Sequence, residues 1–173
     1  VYTCLGLSEK AIDIFIQAKT LAEEIQDEAK IDSSNNLLGI EYTFAKRYDK
    51  ALTIFINQLS SVKSRDYTRY RAWIHYNLGL TYFLTNEYHK AAEYLKIAYD
   101  IYNKIGLNSD ELWVLSWLML SEIKMDKLKQ TDNLNLIHKK INEGWLKDID
   151  YPEVNYILFR IYNELGDSDK SKL

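Results

Sequence analysis

Apolar side chains recur at intervals of three and four residues along most of the chain, which is the spacing of one face of an α-helix. Leu78 and Tyr82 are four residues apart, and Ala91 and Leu95 resume the same spacing after a polar break. That break, "LTNEY", predicts the end of one helix and the start of the next, with Asn86 as the N-cap. The whole pattern predicts helices at about 7–30, 33–46, 48–63, 67–85, 88–106, 109–125, 131–143 and 152–165.

Polar residues and the single proline mark further helix starts. Asp32–Ser34 and Asn108–Ser109 are expected N-caps, and Pro152 suits the first turn of a helix. The acidic run Glu23–Glu28 is expected late in the first helix, where it opposes the helix dipole and forms a solvated face.

The chain also repeats itself with a period of 40 residues. The matching positions are Leu38-Gly39 with Leu78-Gly79, Tyr42 with Tyr82, Ala51 with Ala91, and Phe55 with Leu95. Weaker copies continue in the same register at Lys10-Ala11, Leu118, Leu158 and Tyr162. Each copy holds two predicted helices, so the unit is a helical hairpin. Because two helices approach closely only where side chains are small, Gly79 and Ala91 are expected to face each other across a hairpin.

Composition narrows the class of protein. The 173 residues contain one Pro and six Gly, too few breakers for an all-β fold with many tight turns. A net charge of −3 without a basic stripe argues against direct binding of nucleic acid. The longest apolar run has nine residues, about half of what a bilayer requires, so no contact with a membrane is expected. One cysteine fits a reducing compartment, and we expect a cytoplasmic protein.

Small residues at fixed offsets in paired helices resemble the tetratricopeptide repeat family. Leu78-Gly79, Tyr82, Ala91, Leu95 and Ala98 occupy its signature positions, and in the preceding copy Gln58 replaces the last alanine. The resemblance implies an all-α fold, a right-handed α-α superhelix of antiparallel hairpins forming one domain over 1–173. Its parts would be a partial repeat at 1–31, repeats at about 32–66, 67–106 and 109–145, and a partial repeat at 151–173.

The 40-residue period exceeds the usual period of that family and resembles repeats in bacterial signalling and regulatory proteins. Tyr2 is expected where a first helix ends and Ser171 where a second begins, so further repeats would flank this sequence. The resemblance implies a protein- or peptide-binding scaffold excised from a larger signalling protein. The alternative is a switch that senses a peptide pheromone or another effector and controls an attached output domain. Exposed terminal repeats offer a route to self-association.

In this family the first helix of each hairpin lines a concave groove that receives a protein or peptide. The corresponding positions here are Asn36, Ile40, Trp73, Tyr76, Asn77, Leu80, Phe83, Trp113, Leu120, Tyr156 and Arg160. The aromatic and aliphatic middle suits an apolar peptide or an amphipathic helix. The alternative is that Trp73 and Trp113 only pack against neighbouring repeats. Asn36 and Asn77 could grip a peptide backbone or serve as plain surface and capping residues.

Catalytic and metal-binding patterns are absent from the sequence. His75, His89 and His138 are scattered, and Cys4 has no pairing motif. The groove positions lack the clustered acidic or amide residues that an enzyme would need there. The positions with which one subgroup of the family clamps the carboxylate of chaperone tails lack the required cations, because they hold Asn36, Ile40, Asn77, Trp113 and Trp117 here. We therefore expect no cofactor and no enzyme activity, with His75 as a core or rim histidine.

Overall fold

The chain is helical throughout its described part. A computed structural model describes residues 5–62, 68–125, 131–144 and 152–164. Within these ranges it contains no strand, which confirms the all-α prediction. The helices are α1 (Leu5–Glu24), α2 (Glu28–Phe44), α3 (Tyr48–Val62), α4 (Thr68–Leu84), α5 (Tyr88–Ile105), α6 (Asn108–Lys124), α7 (Thr131–Asn142) and α8 (Pro152–Glu164).

The helices belong to two compact units, Val1–Tyr67 and Thr68–Leu173. In the first unit, α2 packs against both α1 and α3. In the second unit, α5 packs against α4 and α6, and α6 also contacts α7 and α8. The predicted chain ends near Tyr2 and Ser171 lie outside the described residues.

Close helix contacts form where the repeat places glycine. A Cβ atom built on Gly79 would lie 2.6 Å from Leu95 Cγ and 3.1 Å from the carbonyl oxygen of Ala91. Forty residues earlier, a Cβ atom on Gly39 would lie 2.5 Å from Cε1 of Phe55. Both glycines therefore permit a contact between the two helices of a hairpin, and the predicted approach of Gly79 to Ala91 is confirmed.

The turns between helices share one geometry. A residue with positive φ follows the preceding helix at positions that differ by 20 or 40 residues, namely Gln26, Lys46, Asn86 and Gly106. In the α4–α5 turn the Glu87 amide donates to the Tyr82 carbonyl over 2.9 Å, which closes the last turn of α4. The prediction that Asn86 caps α5 was wrong. With φ of 64° it is the left-handed residue of the turn, a conformation that asparagine tolerates, and Glu87 precedes α5 instead.

Two predicted helix boundaries also need correction. The first helix ends at Glu24, and α2 begins at Glu28 after the N-cap Asp27, whose Oδ1 accepts from the Lys30 amide over 3.1 Å. Hydrogen bonds from the side chain and from the amide of Lys30 lower the pKa of Asp27. Asp27 and Glu28 thus lie at a helix N-terminus, where the dipole favours negative charge. Likewise Asn108 is the first residue of α6 and Leu107 holds the N-cap position, whereas the start at Pro152 is confirmed.

A buried ion pair joins α6 to α7. Lys140 Nζ lies 2.8 Å from Glu111 Oε1, and both side chains are buried. Burial, followed by the charge of Glu111 and a hydrogen bond to it, raises the pKa of Tyr99 on α5 to about 12. Because each buried charge has a partner, removal of one partner alone would leave an uncompensated charge.

Candidate functional site

Aromatic rings of α4 and α6 form a continuous cluster in the second unit. Ring centroids are separated by 5.6 Å for Trp73–Tyr76, 6.2 Å for Tyr76–Trp113, 6.0 Å for Trp113–Trp117 and 5.2 Å for Phe83–Trp117. Residues three or four apart lie on one side of a helix, so this spacing along α4 and α6 brings the rings together. Two residues of α8 complete what we call the aromatic face, which consists of Trp73, Tyr76, Phe83, Trp113, Trp117, Tyr156 and Arg160.

The members of the aromatic face differ in exposure. Tyr76, Phe83 and Trp117 are buried, with exposed fractions of 6%, 5% and 8%. Trp73 and Trp113 are half-buried, although each has a ring contact with Tyr76. The aromatic face therefore has a floor of buried, packed rings, and the indoles of Trp73 and Trp113 retain solvent-accessible surface.

The α8 helix places a cation on the aromatic face. The Arg160 guanidinium carbon lies 5.7 Å from the ring centroid of Phe83 and 6.0 Å from that of Tyr156. These are cation–π distances, and Phe83 in turn contacts the ring of Trp117. Tyr156 is 53% exposed, so this end of the face is open to solvent.

The structure separates the predicted groove residues into three groups. Six of them form the aromatic face, and Leu80 lies half-buried on α4 with them. Leu120 is completely buried and Asn77 is 5% exposed, so both side chains contribute to packing beneath the surface. Asn36 and Ile40 are half-buried on α2 in the first unit.

Trp117 is the residue of the aromatic face that the predicted groove set lacks. It follows Trp113 by one helical turn, a spacing that is visible in the sequence. Its ring contacts both Trp113 and Phe83. Trp117 thus links α6 to α4 at the floor of the face.

His75 lies in the core, as the sequence predicted. It is 6% exposed, and its ring centroid lies 5.9 Å from that of Tyr94 on α5. Burial, with a smaller contribution from the charge of Arg71, lowers the pKa of His75 to about 4. The imidazole is therefore neutral at neutral pH. In the described part of the chain, no three His, Cys, Asp or Glu side chains come together as a metal site would require.

None of the described helices has both the length and the apolarity that crossing a membrane requires.

The sequence of the central hairpins matches a family model. Residues 30–104 match the tetratricopeptide repeat model. This segment is a tetratricopeptide repeat region. It covers the hairpins α2–α3 and α4–α5, in which the two glycine contacts occur. Tetratricopeptide repeats are in general non-catalytic scaffolds that bind other proteins.

Solved structures with tetratricopeptide-like repeats share the fold. A protein of Podosopora anserina assigned as a kinesin light chain with nearly identical TPR-like repeats aligns with a TM-score of 0.73 at 14% identity, covering 99% of this chain and 85% of its own. Its Q17M variant gives 0.74 at 14% identity, covering 99% and 84%. BtubC (BKLC) from P. vanneervenii gives 0.72 at 17% identity, covering 96% and 70%. No curated protein matches the sequence.

Proposed function

We propose that this chain is a protein- or peptide-binding scaffold and that its partner docks on the aromatic face. The observation that carries the proposal is the half-exposure of Trp73 and Trp113 above a floor of buried rings. Rings that served packing alone would be covered by neighbouring helices, as Trp117 and Phe83 are. Large aromatic side chains that keep exposed surface on a rigid support are typical anchors of protein interfaces.

The chemistry of the face favours an apolar segment as the partner. Leu80 and Leu84 follow Trp73 and Tyr76 at helical spacing on α4, and Leu80 is half-buried while Leu84 is 41% exposed. An amphipathic helix or an apolar peptide would bury this surface together with the indole edges. The regulatory context rests on the 40-residue period alone, and it remains a prediction together with the bacterial origin.

Selection from a displayed library of random 12-residue peptides tests the proposal without a known partner. Peptides selected on the wild-type chain would be synthesised, and their dissociation constants measured for Trp73→Ala, Trp113→Ala and the double variant. We expect each single change to weaken binding by about 10-fold, because a truncated hot-spot indole typically costs more than 1 kcal/mol. Far-UV circular dichroism would verify that the variants keep their helical content.

A matched control comes from the other side of the hairpin. Ile97 on α5 is 42% exposed and takes no part in the aromatic face, so Ile97→Ala should leave the dissociation constants within about twofold of wild type. The proposal is wrong if the selected peptides bind the Trp73→Ala/Trp113→Ala double variant as tightly as the wild-type chain, or if no peptide is selected.

A further inference from the structure

We infer that Arg160 recognises an acidic side chain of the docked segment, so that the partner presents Asp or Glu between apolar residues. This inference rests on the proposed function and names the partner's chemistry. It is based on the contacts of the Arg160 guanidinium. Arg160 lies over the rings of Phe83 and Tyr156, but no described residue gives it an ion pair or a hydrogen bond. Its N–H groups are therefore available to an acceptor that approaches the aromatic face.

The sequence of α8 offers Arg160 a carboxylate at a spacing suited to an ion pair. Glu164 follows Arg160 by four residues on α8, the spacing at which a carboxylate and a guanidinium pair on a helix surface. Glu164 instead forms an ion pair with Lys124 of α6. Glu164 is therefore engaged by Lys124, and no described carboxylate forms an ion pair with Arg160 beside the rings of Phe83 and Tyr156.

Two rings on separate helices restrict the guanidinium. Phe83 belongs to α4 and Tyr156 to α8, so the cation is fixed relative to the rest of the face by both of them. A guanidinium that is already oriented loses less conformational entropy when it binds, and its planar fork matches a carboxylate in a bidentate manner. Lysine could supply the charge at this position but neither the fork nor the stacking.

The arrangement favours a carboxylate side chain over the carboxyl terminus of a peptide. Arg160 contacts exposed Tyr156 on its own helix, and the buried rings of Phe83 and Trp117 connect it to half-buried Trp113. A segment that carries an internal Asp or Glu can place apolar neighbours on both. A segment that ends at its carboxylate can use only one.

The experiment compares peptide selections on wild type and on Arg160→Met. Random 12-residue peptides with amidated C-termini would be selected on each protein, with Arg47→Met as the matched control. Arg47 is an exposed arginine of the first unit that pairs with Glu9. We expect enrichment of Asp or Glu with wild type and with Arg47→Met, and loss of that enrichment with Arg160→Met.

Individual peptides then give a test that does not depend on how well Arg160→Met folds. Replacement of the selected Glu by Gln should weaken binding to the wild-type protein about 10-fold and change binding to Arg160→Met less than twofold. Arg160→Lys should recover only part of the difference. A free C-terminus added to the Gln peptide should not restore affinity.

The outcomes separate this inference from the proposed function. If Trp113→Ala weakens binding as expected while wild-type selections show no acidic enrichment, or the Glu-to-Gln change has no effect, the inference is overturned and the scaffold function stands. Full rescue by the free C-terminus would overturn the choice of a side chain. If binding is also insensitive to Trp73 and Trp113, the proposed function fails as well.

Discussion

The hairpins α2–α3 and α4–α5 are two copies of one unit, and they pack different side chains at the close contact between their helices. Each places a glycine of its first helix against a large side chain of its second helix, Gly39 against Phe55 and Gly79 against Leu95. A flat ring and a branched aliphatic side chain thus occupy equivalent space beneath the glycine. The repeat therefore specifies the close contact, whereas the residue that fills it can vary.

The two hairpins differ more on their outer surfaces than in their contacts. Where α4 carries Trp73 and Tyr76, the equivalent positions of α2 are Ser33 and Asn36. The aromatic face is therefore a property of the second unit. A common backbone carries one copy with polar residues at these positions and one copy with aromatic residues, and the latter is the surface that we propose for binding.

The largest expected effect concerns the glycine contacts. Gly79→Ala should lower the free energy of unfolding by about 2 kcal/mol, because the new Cβ would approach both Leu95 and the immobile backbone oxygen of Ala91. Gly39→Ala should cost less than half as much, because the three atoms nearest to its Cβ all belong to the side-chain ring of Phe55 and none of them to the backbone. The helix propensity of alanine offsets part of each cost, by roughly 1 kcal/mol.

Hydrogen exchange measured by mass spectrometry on peptides from the two hairpins would give their opening free energies separately. Leu95→Ala is the control, since it removes the Cγ atom that Gly79→Ala would meet. The double variant should be more stable than the sum of the single changes predicts. Equal losses of stability for Gly39→Ala and Gly79→Ala would contradict the proposed difference between the two contacts.

A second difference concerns pH. His75 of α4 is replaced by Asn35 in α2, and only the histidine titrates. Its pKa in the folded chain is about 4, below the ordinary value of 6.5, so the unfolded chain binds the proton more readily. The second unit should keep its full stability above pH 6.5 and lose about 1–2 kcal/mol as the pH falls to 5.

Tryptophan fluorescence during urea unfolding can follow this loss, because all four Trp residues lie after residue 67. His75→Asn introduces the residue of the first copy and should flatten the pH dependence between 6.5 and 5, whatever its effect at neutral pH. An unchanged difference between pH 7 and pH 5 in this variant would show that other groups cause it.

The smallest effect concerns the departure of the first copy from the repeat pattern. Gln58 stands where the second copy has Ala98, and its Nε2 donates to the Asp32 carbonyl over 2.7 Å. Gln58→Ala should therefore destabilise α2–α3 by about 1 kcal/mol, although it restores the residue typical of the repeat. Hydrogen exchange in α2 and α3 is the readout, and Ser60→Ala on exposed α3 surface is the control. A gain in stability would mean that the hydrogen bond does not compensate for the buried amide.

The fold followed from the spacing of small and large residues, and most helix ends were predicted within a few residues. The errors fell on the turns. Asn86 is a common N-cap residue, but the chain needed a left-handed residue at that point, and asparagine serves both purposes. Asp27 could not be identified as the start of α2, because the acidic run around it also fits a continuous exposed helix face.

The all-α class, the 40-residue hairpin unit and the glycine positions can be read from the sequence, because helical periodicity and the need for small residues at close contacts are local properties that repeat along the chain. Which predicted groove residues keep accessible surface depends on the tertiary structure. Leu80 and Leu120 occupy equivalent repeat positions, but one is half-buried and the other is completely buried. The same holds for Arg160, which forms no ion pair with a described residue, whereas Glu164 on its own helix binds Lys124 of α6. Burial and ion pairing depend on neighbours that are distant in sequence, and the spacing of residues along the chain does not identify these neighbours.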